Sequence, residues 1–104
     1  MADHGARVAG IVRDELKSLP FGGQFSYAVG HSWGTVPIQG DQVYVGTLWV
    51  ITVSLRNPLV GEPDIAQSVP VAGPVPPDHI FRQATRMLAG ACRKEHARAL
   101  EVPK

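Results

Sequence analysis

The chain has 104 residues, with ten basic and nine acidic side chains and a formal charge of +1. That length suits one domain spanning residues 1–104, large enough to bury a modest core. Hydrophobic residues at 44% against 18% charged exclude a disordered tail and a membrane-embedded chain, and the charge balance excludes a histone-like or polyacidic protein.

The spacing predicts a helix over residues 3–19. Val8, Ile11, Val12, Leu16 and Leu19 recur every three or four positions and make one apolar stripe. Asp3 suits the start, and Pro20 with Gly22-Gly23 ends it. Glu15 falls inside the stripe. The simpler expectation is that it reaches out to water; the alternative is a partly buried acid with a basic partner.

Residues 24–33 alternate with period two and predict a strand. Phe25, Tyr27, Val29, His31 and Trp33 share the covered face, and Gln24, Ser26, Ala28, Gly30 and Ser32 share the other. Residues 34–41 read as a connection, from Gly34, Pro37, Gly40 and Asp41. A second strand follows over 42–56. Val43, Val45, Thr47, Trp49, Ile51, Val53 and Leu55 form its core face. Its other face carries Tyr44, Leu48 and Val50, more apolar than solvent requires. Either another subunit or the proline-rich stretch 57–77 is expected to cover them.

Residues 57–64 read as a loop. Residues 65–72 suit a third strand, placed at an edge because Pro70 cannot donate to a ladder. Residues 73–77, with three prolines, make a stiff connector. Residues 78–98 predict the last helix, with Asp78 as its N-cap. Ile80, Phe81, Ala84, Met87, Leu88, Ala91 and Cys92 form its apolar face.

The order is thus α-β-β-β-α. It predicts an α+β fold, a two-layer sandwich in which both helices pack on one face of an antiparallel meander of about three strands. Double-stranded-RNA-binding domains share this order of elements. The resemblance is one of topology alone. Where those domains carry a lysine cluster at the start of the last helix, this chain has Asp78-His79-Ile80-Phe81-Arg82 and no lysine.

Cys92 is the only cysteine, which excludes an internal disulfide and a thiolate zinc site and points to a reducing, cytoplasmic compartment. Asp3, Arg7, Arg13, Asp14 and Glu15 interrupt any apolar leader, so no secretory signal is expected. Val43 to Leu55, the most apolar stretch, is shorter than a membrane span. His4, His31, His79 and His96 lack metal-ligand spacing, so neither metal nor cofactor is expected. His31 is expected as a core histidine.

Gly30-His31-Ser32-Trp33-Gly34 matches the G-x-S-x-G nucleophile elbow, with Asp64 or Asp78 and then His79 or His96 following in hydrolase order. An elbow needs a helix directly after the serine, and Thr35-Val36-Pro37 does not start one. An ordinary turn at the strand end is therefore expected at Ser32, with a small serine hydrolase as the lesser alternative. Arg82, Arg86 and Arg93 fall on the outer side of the last helix, where 78–98 holds five basic against two acidic residues. They make a solvated face or a footprint for nucleic acid or an acidic partner. These features predict a non-enzymatic, cytoplasmic interaction or assembly module, homodimeric through a sheet face around Tyr44, Leu48 and Val50 or through a sheet edge.

Overall fold

The computed structural model describes residues 4–20, 22–73 and 77–101. Helix α1 (His4–Lys17) leads into one 3-10 turn (Gly22–Gln24) and then three strands, β1 (Phe25–Gln39), β2 (Gln42–Leu55) and β3 (Ile65–Ala72). Helix α2 (Asp78–Leu100) closes the order α-β-β-β-α. The strands form one antiparallel sheet in the order β1-β2-β3, so β2 is central and the other two are edges. Asp3, expected to open α1, lies outside the described residues.

Period-two burial along β2 builds the core. Trp49, Ile51, Val53 and Leu55 are buried against Val8, Val12 and Leu16 of α1 and Phe81, Leu88, Ala89 and Cys92 of α2. Phe81 meets Trp49 edge-on, with ring centroids 6.2 Å apart at 87°. α1 packs over β1, and α2 lies over β2 and β3. Thr85, the one buried polar side chain among the described residues, donates its hydroxyl to the Phe81 carbonyl at 2.8 Å. The Cys92 thiol donates to the Val53 carbonyl at 3.3 Å. Burial pushes that thiol's pKa above its ordinary 9.0; the bond to the Gln67 backbone acts the other way, and the Glu95 charge adds to the rise.

Among the described residues, two ion pairs join the helices. Arg7 pairs with Asp78, and Arg86 with Glu15. The second pair stands eight residues beyond the first on both helices, so α1 and α2 run in the same direction. Asp78 therefore does not cap α2. It occupies the first helical position behind Pro77, with no side-chain cap, and its carboxylate serves the neighbouring helix. Glu15 does not reach out to water either: its side chain is only 11% exposed and takes the basic partner.

The expected connection at 34–41 is mostly strand. β1 continues to Gln39, and a two-residue turn at Gly40-Asp41 returns the chain, with Gln39 paired to Gln42. Gly40 supplies the turn's positive φ of 57°. Pro37 is tolerated because β1 has a partner on one side only. A 14-residue strand spans about 48 Å, matching the 48 Å long axis of the molecule. A 14-residue α1 spans about 21 Å. The hairpin therefore overhangs the helical layer. On the helix side of that overhang, Trp33 is 75%, Val43 54% and Val45 56% exposed. These three and Tyr27 were expected in the covered face and are not covered.

Candidate functional site

The open face of the sheet follows directly from the register. It presents Ser26, Ala28, Gly30, Ser32, Gly34 and Val36 from β1, then Tyr44, Gly46, Leu48, Val50, Thr52 and Ser54 from β2, and Ala66, Ser68, Pro70 and Ala72 from β3. None of these side chains is charged. Between Lys17 and Arg56 the only charged residue is Asp41, at the hairpin turn. Thr52 and Ser68 bond to each other across the strands at 2.8 Å, which leaves their hydroxyls less dependent on water.

Tyr44, Leu48 and Val50 lie on this face, yet two of them are seated by their own chain. The Tyr44 hydroxyl donates to the Thr47 carbonyl at 3.0 Å, and the ring lies so close over Gly46 that an added Cβ there would stand 2.7 Å from the hydroxyl. Leu48 is buried and leans over Gly34, where a Cβ would stand 2.8 Å from its Cδ1. Glycine at 34 and 46 thus makes room for large neighbours, which spacing alone did not reveal. Val50 remains half-exposed beside Pro70. Of the stretch 57–77 expected to cover them, 65–72 is strand β3 in the same sheet and 74–76 lie outside the described residues. Loop 57–64 closes on itself through Asn57, whose amide donates to the Pro63 carbonyl at 3.2 Å and whose oxygen accepts from the Leu59 N–H at 2.9 Å.

The Gly30–Gly34 segment is neither an elbow nor a strand-end turn. It lies within β1, paired from Gly30↔Val50 to Gly34↔Gly46, and no helix follows Ser32. Adjacent strand residues point to opposite faces, so His31 and Ser32 diverge. The His31 ring lies on the helix side against Trp49, with centroids 4.8 Å apart at 51°, and it is exposed and not a core histidine. The described residues include no obvious catalytic constellation. Among the described residues no three His, Cys, Asp or Glu side chains gather into a metal-binding cluster, and no helix is long and apolar enough to cross a membrane.

The three arginines of α2 do not form one uniform stripe. Arg86 is engaged by Glu15, with Nε and NH2 each 3.3 Å from its Oε2. Arg93 lines a groove of about 850 Å3 with Lys94 and His96, above an apolar floor that includes Leu55, Ala91 and Leu100. Arg82 stands exposed about 16 Å from Arg93 along the helix. No protein-family model, curated protein or solved structure matches this chain.

Proposed function

We propose that this protein is a non-enzymatic interaction and assembly module that works by associating with a second copy of itself through its sheet, by the open face or by an edge. One observation carries the reading: sixteen open-face positions hold no charged side chain. A sheet face that meets water ordinarily alternates with charged and polar residues, whereas a smooth face of small residues lets a second sheet approach closely. Val50 and its same-face neighbour Leu48 form the apolar centre of that surface, with Tyr44 toward the hairpin end. The compartment is cytoplasmic on this reading, where the single buried Cys92 stays reduced.

Sedimentation of the wild-type chain tests the proposal. A dimer is expected; Ala66→Lys with Ala72→Lys, both exposed on the open face of β3, returns a monomer where that face is the contact. A wild-type monomer at all concentrations overturns it.

A second reading is favoured by the charge on α2, five basic against two acidic side chains. On this reading Arg82 and Arg93, with Arg86 between them, meet a phosphate backbone or an acidic protein.

A further inference from the structure

Among the described residues, the longest unpartnered strand edge belongs to β1. β1 pairs with β2 on one side only, and its other side presents the unpaired backbone N–H and C=O groups of residues 25–36. Natural proteins blunt such edges with charged side chains, proline or a covering element, because an open ladder recruits another strand. β3 carries Pro70 within its eight residues. β1 carries no Lys, Arg, Asp or Glu in its fifteen, and its single proline, Pro37, stands at the far end. The overhang adds Trp33, 75% exposed on the helix side of this same edge.

We infer that β1 pairs antiparallel with β1 of a second copy, joining two three-stranded sheets into one of six. This rests on the self-association proposed above and names the edge of β1, not the open face, as its contact. Two-fold symmetry supports the pairing, because a strand meeting its own copy about a dyad runs antiparallel and satisfies both ladders at once. A dyad perpendicular to the sheet keeps all four helices on one side. Centred on the Gly30–His31 stretch, the pairing sets Trp33 across from Tyr27 or Val29 of the second copy. It also brings the overhang beside α1 of that copy, since α1 packs over β1. Trp33 is then covered by the same layer that it overhangs in the single chain. A seam of about twelve residues is roughly 40 Å long, and each buried tryptophan adds about 200 Å2. Together they approach the about 800 Å2 per partner of a standard stable interface.

Amide hydrogen exchange on the wild-type chain, read with its sedimentation mass, tests this inference. In an isolated sheet the β1 amides that point away from β2 exchange freely. Edge pairing protects them by at least about tenfold as concentration rises through the dimer transition. Thr35→Lys and Trp33→Ala, both at exposed positions, are expected to weaken dimerisation by about tenfold or more each, while Ala66→Lys with Ala72→Lys leaves it unchanged. A dimer whose outward β1 amides stay unprotected, and which yields only to the β3 lysines, overturns edge pairing and leaves open-face association standing. Protection along β3 in place of β1 overturns it too. Edge protection with no effect of the β3 lysines upholds it and replaces the open face as the contact. A monomer throughout overturns both.

Discussion

Arg86 and Glu15 face each other across the two helices, the arginine side chain 64% exposed and the glutamate side chain only 11%. The acid is held inside the apolar stripe of α1, and the base reaches in from water. Such a half-exposed pair is worth about 0.5–1 kcal/mol, enough to align the helices and too little to hold them. In a double-mutant cycle, Glu15→Gln and Arg86→Gln should couple by that amount, with the coupling shrinking as salt is raised.

The same pair changes how anion binding is tested. Arg86→Glu would place two carboxylates together and disturb the helix interface before any partner is added. Arg82→Glu is the cleaner probe, since Arg82 is exposed. If α2 meets nucleic acid, affinity should fall steeply with salt, and Arg82→Glu should lower it with no change in melting temperature. Binding that is flat with salt excludes that mode.

Phe81 is fully buried against Trp49. Phe81→Ala should cost about 3–5 kcal/mol, a large share of the 5–15 kcal/mol typical of a domain. Urea midpoints measured by tryptophan fluorescence would show it.

At Gly46 a methyl group would collide with the Tyr44 ring and hydroxyl. Gly46→Ala should expel that ring, break its bond to the Thr47 carbonyl and cost about 1–3 kcal/mol. Tyr44→Ala should remove the collision but not the backbone strain of a side chain at φ 157°, so the double variant should recover only part of the loss.

Cys92 binds its proton more tightly in the folded chain than in the unfolded one, because burial disfavours the thiolate. Its contribution is therefore complete below the unfolded thiol's pKa and is lost as pH rises beyond 9.0 through the higher folded value. Cys92→Ser should flatten the alkaline decline relative to wild type. A thiol reagent should label Cys92 only on unfolding.

The periodic parts of the chain were legible before the structure. Val8, Val12 and Leu16 at helical spacing, and Trp49, Ile51, Val53 and Leu55 at strand spacing, meet in the core as the pattern required. Period, however, fixes a face and not how far another layer reaches along it. Val43 and Val45 continue the core pattern of β2 and stand in solvent. Gly34 and Pro37 carry turn chemistry, yet the first makes room for Leu48 and the second sits harmlessly on an edge. The partner of Glu15 lies 71 residues away and depends on how two helices align, which no local spacing encodes. The charge-free open face was readable in part, through Tyr44, Leu48 and Val50. The open edge of β1 was not, because strand order decides which strand is left unpaired.

The parallel course of α1 and α2 also sets where attachments to this protein would point. Arg7 lies beside Asp78, so His4 sits near the start of α2, while Leu100 ends a 23-residue helix running away from it. Those two positions are separated by about 35 Å. Labels at residues 4 and 101 would report as a rigid ruler of that length. A circular permutant joining them would need a linker of at least about ten residues to cross the helical layer.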